Sequence, residues 1–433
     1  MAALGDMLQS LIKRGARWVD KYAGADLSAI PTPELCQSLL SSRGEATGLT
    51  LAATILDRVD HANESERLAF FKSLAQDFDV DPESVLAAAQ ALAADPSPAH
   101  LETLRRTSEP QRQILFRHLN QAPGGTQRLV RLREKLMQEM IEHPNLRRID
   151  NDLKHLFRSW FNRGFLMLEH IDWGTSAEIL EKIIAYEAVH EINDWEDLRR
   201  RLQPPDRRCF AFFHPAMATE PLVFVEVALT ETVAHSIQAV LSAERAPIDP
   251  DDARTAIFYS ISNCQEGLRG ISFGAFLIKQ VVQDLSRDFP KLETFATLSP
   301  LPGFTRWLRT WIAENEDSRA DIRALLEGPR TMAALAPFED RLMALAAQYL
   351  LSAKREDGRP PDPVARFHLQ NGASVHRLNW MADISKSGLA QSLGIMVNYH
   401  YDLNELERNH EAYQSEQKIA ASRKVRSFVP DVP

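Results

Sequence analysis

The sequence predicts an α+β protein in two parts: an all-helical bundle over residues 1–160 and an α/β region over residues 161–433, built on a central sheet. Three observations predict this. From Met1 to about Trp160 no strand signal interrupts the helical periodicity. From Arg208 onward, short runs dense in β-branched and aromatic residues appear, such as Arg208–Phe213 (RCFAFF) and Leu222–Leu229 (LVFVEVAL). The stretch Phe258–Phe304 then reads as strand, glycine-rich turn, amphipathic helix, second strand and proline turn.

In the first part, Asp81-Pro82-Glu83 opens a helix with a capping residue, a proline at the first turn and an acid behind it. That helix runs through Val85, Leu86, Ala89 and Leu92 to Asp95. Pro96-Ser97-Pro98 breaks the chain, and helix follows through Leu101, Leu104, Ile114, Leu115 and Leu119. Pro123-Gly124-Gly125 is a turn, and Leu129–Ile141 is a further helix ended by Pro144. Between Leu104 and Arg163 there are thirteen Lys or Arg against six Asp or Glu, which reads as a solvated face of paired charges rather than a docking surface.

Gly164 ends the helical part. Glu178–Tyr186, Asp194–Arg201 and Thr232–Leu241 are expected to be helices of the second part. Ala256–Ser262 is a buried strand, and Gly267, Gly270 and Gly274 follow it. Phe273, Phe276, Leu277, Val281, Leu285 and Phe289 then fall on one helical stripe, closed by Pro290. Leu292–Leu298 is the next strand. Helix resumes from Thr305 to about Lys354, and Val364–Leu369 begins the final block. His368 is expected in a loop there, and Val375–Met381 and Gly394–Tyr401 alternate as strands.

Composition sets outer limits. A chain of 433 residues is long enough for two or three domains, and 44% hydrophobic with 25% charged residues suits a soluble globular protein. The formal charge of −9 argues against wholesale nucleic-acid binding. No apolar run approaches a membrane span of about 20 residues. Cys36, Cys209 and Cys264 have no metal-type spacing and fit a reducing compartment. His118, His143, His155 and His170 are scattered without H-E-x-x-H, so no metal is expected. The opening MAALGDMLQSLIKRGARWVDKYAG has a mild transit-peptide flavour, but Asp6 and Asp20 favour an ordinary amphipathic helix. The ending SFVPDVP is no peroxisomal address, and the expected location is the cytoplasm.

A strand, a glycine turn and a helix together gather unpaired backbone N–H groups and the positive end of a helix dipole, which suits a phosphate. The same turn could serve only to let helix pack on strand. Among thirteen histidines composition selects none, and Ser299 before Pro300 reads as an ordinary turn residue.

Arg269–Gly274 (RGISFG) resembles the R-x-x-G-x-G turn with which GNAT acetyltransferases hold the pyrophosphate of coenzyme A, with Ser272 in place of the first glycine. FYSIS, QEGLRGISFG, LSPLPGF, HPAMATEPLVFVEVAL and FHLQNGASVHRLNWMAD occur in the order typical of malonyl-CoA decarboxylases, over roughly Gln121 to Tyr401. The resemblance is to the bacterial type. It implies a helical domain for subunit association and a catalytic domain of acetyltransferase-like fold with a V-shaped opening in its sheet. It also implies release of acetyl-CoA and carbon dioxide from malonyl-CoA without metal or cofactor, by a homo-oligomer of two or four subunits. On it, His368 is the general acid and Ser299 faces it across the malonyl group. Coenzyme A would be held by Arg269, Gly270, Ile271, Ser272, Phe273, Gly274 and Ala275, with Gln265, Gly267, Ser260 and Asn371 as neighbouring candidates. Many members, especially of the animal type, carry glutamate where this chain has Ser272. An acyltransferase using the same turn and a non-catalytic sensor of malonyl-CoA or acetyl-CoA are the alternative readings.

Overall fold

In the computed structural model the described residues are 27–42, 44–271, 276–314 and 320–429. The helix expected over the first residues lies outside them, and so do Ser272, Phe273, Gly274 and Ala275 of the glycine turn. Residues 27–166, 214–218 and 265–271 form one compact unit, and the remaining described residues form another.

The first unit is helical. Its α-helices among the described residues are α1 (Thr32–Ser41), α2 (Glu45–His61), α3 (Glu64–Gln76), α4 (Pro82–Ala94), α5 (Pro98–Thr107), α6 (Gln111–Asn120), α7 (Gly125–Glu139) and α8 (Arg147–Trp160). The expected caps are in place: Asp81 accepts from the Glu83 and Ser84 N–H groups with Pro82 in the first turn, and Ser97 accepts from His100 N–H ahead of α5. One expectation fails. The helix read from Leu101 through Leu119 is two helices, because Pro110 lacks an N–H and restricts the residue before it. Leu115, Phe116 and Leu119 of α6, Leu129 and Leu136 of α7, and Leu153 and Phe157 of α8 form a fully buried core.

A buried cation sits in that core. Arg133 donates from Nε to Asp150 (2.7 Å), from Nη1 to the Gly267 carbonyl (2.5 Å) and from Nη2 to the Arg269 carbonyl (2.9 Å). The segment Gln265–Ile271 is therefore shaped by a side chain more than 130 residues away. A Cβ at Gly267 would lie 1.9 Å from the Val130 carbonyl oxygen, so only glycine fits against α7 there. Gly270 has φ +78°, the left-handed region, and its space is open apart from Lys154.

The second unit holds an eight-stranded sheet: β1 (Met167–Ile171), β2 (Arg207–Phe213), β3 (Val223–Thr230), β4 (Thr255–Asn263), β5 (Thr294–Thr297), β6 (Ser299–Pro300), β7 (Ser374–Asn379) and β8 (Met396–His400). Strands β1 to β4 are antiparallel neighbours in sequence order. The strand β1 was not anticipated, since its MLEHI pattern is half polar and half exposed. Helices α9 (Ala177–Tyr186) and α10 (Trp195–Leu202) lie where expected, whereas only Ile237–Leu241, α11, of the Thr232–Leu241 segment is helical.

The sheet opens at β4. Thr255–Phe258 pairs in parallel with Thr294–Thr297 of β5, and the ladder ends there. Beyond it, β6 continues with β8 through Ser299↔Val397, while Ser260–Asn263 continues with β3. Between Glu226 and Val227 the β3–β4 register slips by one residue at Tyr259, a bulge of the kind that re-aims side chains. Helix α12 (Phe276–Asp288) returns the chain from β4 to β5 with Leu277, Val281 and Leu285 buried as expected. Helices α13 (Phe304–Ala313), α14 (Ala320–Glu327), α15 (Met332–Leu335), α16 (Glu339–Leu351) and α17 (Pro363–Gln370) separate β6 from β7.

Replacing Arg133 by methionine leaves the 97%-buried Asp150 side chain with Lys154 alone and removes the donors to two turn carbonyls. Breaking such a pair on one side costs about 3–5 kcal/mol. The expected result is a lower urea midpoint with unchanged m value; a loss below about 1 kcal/mol would show that the guanidinium does not organise the turn.

Candidate active site

The splayed strands leave a cavity of about 230 Å³ in the second unit. Strand β4 supplies Phe258, Tyr259, Ile261 and Asn263, the β6 segment supplies Ser299 and Pro300, and α17 supplies Pro363, Val364, Phe367 and His368. Val189, from the segment after α9, completes the lining. Apolar side chains dominate, and Ser299 and His368 are brought together among them.

Ser299 Oγ lies 3.0 Å from His368 Nε2 and donates to Thr297 Oγ1 at 2.8 Å. The other ring nitrogen, Nδ1, is 2.7 Å from the Tyr401 hydroxyl. The Tyr399 ring stacks on the imidazole with centroids 4.5 Å apart and planes 23° apart. His368 is 2% exposed, and burial lowers its pKa from 6.5 to about 3. The ring is therefore neutral in the free protein near pH 7, with one nitrogen donating and the other accepting. Burial pushes the Tyr401 hydroxyl well above its ordinary range, so it remains a phenol.

His368 is on a helix, not in the expected loop. The signals for that helix are Asp362-Pro363, a cap followed by a proline at the first turn, and Asn371-Gly372, which is a helix end rather than a free turn. Gly372 has φ +80°, and the Gly372→Leu369 and Ala373→His368 N–H to carbonyl bonds close a Schellman motif. Asp362 also reaches beyond its own helix. Its Oδ1 accepts from Val364 N–H (2.9 Å) and Ala365 N–H (3.0 Å), and its Oδ2 accepts from Gly303 N–H (3.2 Å) and the Tyr349 hydroxyl (3.3 Å). One carboxylate thus ties the helix bearing His368 to the turn after Ser299. A Cβ on Gly303 would lie 2.1 Å from the Tyr349 oxygen, which explains the glycine of SPLPGF.

The other candidates stand elsewhere. Ser260 donates to the Glu187 carboxylate, at 2.8 and 2.7 Å, and is not among the residues that line the cavity. Asn371 caps α17, its Nδ2 donating to the Phe367 carbonyl at 2.6 Å. Gln265, Gly267, Arg269, Gly270 and Ile271 belong to the first unit, where exposed Arg269 pairs with Glu266 at 3.4 Å. Sequence reasoning missed Tyr401, Tyr399 and Thr297 as site residues. They appear in it only as parts of strands, and spacing carries no sign that a tyrosine 33 residues on would meet the histidine. Among the described residues no three His, Cys, Asp or Glu side chains are grouped as a metal would require. No described helix is long and apolar enough to cross a membrane.

Comparison with known proteins agrees across the chain. The family model for the malonyl-CoA decarboxylase C-terminal domain matches residues 164–432, and that for the N-terminal domain matches residues 78–161. The mitochondrial malonyl-CoA decarboxylase of Mus musculus is 34% identical over 461 residues, covering 98% of this chain and 90% of the relative. That of Anser anser anser is 40% identical over 353 residues, covering 74% and 69%. The crystal structure of malonyl-CoA decarboxylase from Rhodopseudomonas palustris is similar with a TM-score of 0.88 at 50% identity, covering 92% of this chain and 98% of the other. The enzyme from Agrobacterium vitis gives 0.87 at 50% identity, covering 92% and 99%.

The depressed pKa of His368 has a consequence for stability. Between pH 6.5 and about 3 the unfolded chain binds a proton there that the folded protein excludes. Stability therefore falls as pH drops through that window. Between pH 7 and 4.5 this amounts to about 2–3 kcal/mol, and a His368→Asn variant is expected to lose that much less over the same range. Parallel stability curves from urea titrations would show that the ring is not held neutral.

Proposed function

The chain belongs to the malonyl-CoA decarboxylase family, and on that premise we propose that it converts malonyl-CoA to acetyl-CoA and carbon dioxide in the cavity between Ser299 and His368. The observation that carries the reading is the 3.0 Å Ser299–His368 contact inside an otherwise apolar cavity. Decarboxylation needs no redox group, because the thioester carbonyl takes the electron pair of the breaking carbon–carbon bond. Carbon dioxide leaves and an enolate remains. Ser299 Oγ is a preorganised hydroxyl for the carboxylate or the enolate oxygen, stiffened by Pro300 and Pro302.

His368 supplies the proton. Burial keeps the ring neutral in the free protein, and a bound carboxylate beside it favours the imidazolium. The ring then takes up one proton from solvent as substrate binds and carries N–H on both nitrogens, Nε2 facing Ser299 and Nδ1 donating to the Tyr401 oxygen. Transfer of the Nε2 proton to the enolate carbon gives acetyl-CoA and returns the ring to neutrality. The apolar walls keep water from competing for that carbon.

The glycine turn Arg269–Ala275 takes the pyrophosphate of coenzyme A, with exposed Arg269 and open Gly270 in support. The coenzyme A thioester is the substrate and no further cofactor is required. The helical part serves association of two or four subunits. The buried free thiols Cys36, Cys209 and Cys264 suit a reducing cytoplasm.

Two experiments test this. Pure protein given malonyl-CoA without an acceptor is expected to release carbon dioxide with stoichiometric acetyl-CoA. In that assay His368→Asn lowers kcat about 10²–10⁴-fold and Ser299→Ala about 10²–10³-fold. The double variant is far less impaired than the product of the two losses. Strictly multiplicative losses in folded variants, or near-normal kcat for His368→Asn, would remove the pair from the mechanism. For the glycine turn, Gly270→Asp adds a like charge and a strained φ. Weaker acetyl-CoA binding by calorimetry in a folded variant is expected, and unchanged binding would refute the turn's role.

A further inference from the structure

The polar side of β4 raises a question that the decarboxylation chemistry leaves open. Glu187, directly after α9, accepts from the Val189 N–H (2.8 Å) and the His190 N–H (2.7 Å) of its own loop. The same carboxylate accepts from Ser260 Oγ (2.8 and 2.7 Å) and Ser262 Oγ (3.2 Å) on β4. Ser262 Oγ in turn accepts from the Ala188 N–H at 3.3 Å. One carboxylate therefore both shapes the loop and fastens it to the strand.

The residue held in the middle of that latch is Val189. It lines both the 230 Å³ cavity of Ser299 and His368 and a larger cavity of about 1090 Å³, which Glu187, His190 and Asp383 also line. Among the described residues it is the one that lines both cavities.

We infer that Val189, positioned by Glu187, is the wall that sets how large an acyl group the catalytic cavity accepts, and that it discriminates malonyl-CoA against thioesters carrying a methyl group on the malonyl C2 carbon. The inference rests on the reading of the Ser299–His368 cavity as the malonyl site and extends it to specificity. Apolar walls discriminate by one methyl group through packing alone, on a scale of about 10–200-fold. A wall fixed by hydrogen bonds from a neighbouring strand cannot yield cheaply to an extra methyl, whereas a loose loop could. Glu187 is a positioning residue in this account, since it touches the loop and the strand and not the substrate. Ser260 and Ser262 serve the latch, which gives Ser260 a role other than binding coenzyme A.

The test compares kcat/KM for malonyl-CoA and racemic methylmalonyl-CoA in the full-length protein. Val189→Ala is expected to raise the methylmalonyl-to-malonyl ratio by about tenfold or more, and Val189→Ile to lower it. Glu187→Ala is expected to move the ratio in the same direction as Val189→Ala, with little added effect when the two are combined. Glu187→Gln, which keeps one carbonyl acceptor for the loop N–H groups, is expected to restore part of the native ratio. A merely structural loss would depress both substrates alike and leave the ratio fixed. If Val189→Ala turns over malonyl-CoA with an unchanged ratio while His368→Asn is inactive, the wall assignment is wrong and the site assignment stands. If His368→Asn also remains active, the cavity is not the malonyl site and both readings fall.

Discussion

The active-site geometry depends on the carboxylate of Asp362. Four hydrogen bonds converge on it, two from the first turn of its own helix, one from the Gly303 N–H and one from the Tyr349 hydroxyl. Without it, the helix that carries His368 and the turn that follows Ser299 would lose the hydrogen bond from the Gly303 N–H that ties them. The group is wholly buried, and burial pushes its carboxyl above the usual carboxylate range even against those donors. A carboxylate in that position is tolerable only because its lone pairs are so fully used. The close approach it requires leaves no room for a side chain at position 303, so one interaction accounts for a glycine, a cap and the placing of the His368 helix against the turn after Ser299.

Around that fixed frame, the environment of His368 follows from burial. The ring is enclosed by Tyr399 on one face and by Phe367 and Tyr401 at its edges, with no carboxylate paired to it. Desolvation then acts unopposed and keeps it neutral. A histidine paired with an acid would already hold its proton before substrate arrived. On the proposed mechanism the charge that favours protonation comes with the substrate, so the ring would become an acid only when a carboxylate is present to be lost.

Much of the fold was legible because its signals are local. Asp81-Pro82-Glu83, the buried strand β4 and the stripe of α12 each follow from residue types at fixed spacing. What failed to read did so for physical reasons. Pro110 divides a continuous apolar pattern, because a missing N–H outweighs periodicity. The helix of His368 was concealed by Asn371-Gly372, a pair that marks a free turn and a helix end equally well. Of the site, Ser299 and His368 were found through a family resemblance and not through composition. Tyr401, Asp362 and Val189 carry no such mark, because their roles come from contacts across 33, 59 and about 70–180 positions respectively, and only the folded chain places them.

The remaining polar groups explain how the Ser299 hydroxyl is held in place. Asn398, fully buried on β8, donates to the Thr297 and Ala234 carbonyls and accepts from Arg377 and Asn379. Thr297 Oγ1 accepts from the Tyr399 N–H at 3.1 Å. Asn398 is thus satisfied from within, and the chain of bonds through Thr297 ends at Ser299. A serine hydroxyl offers one donor and two acceptor sites. Its donation to Thr297 and its contact with His368 take the donor and one acceptor site. A carboxylate or enolate oxygen needs a donor, so the proposed mechanism requires the Ser299 proton to turn from Thr297 to the substrate. A hydroxyl bonded to another hydroxyl can make that turn, whereas a turn serine bonded to its own backbone would lack the freedom.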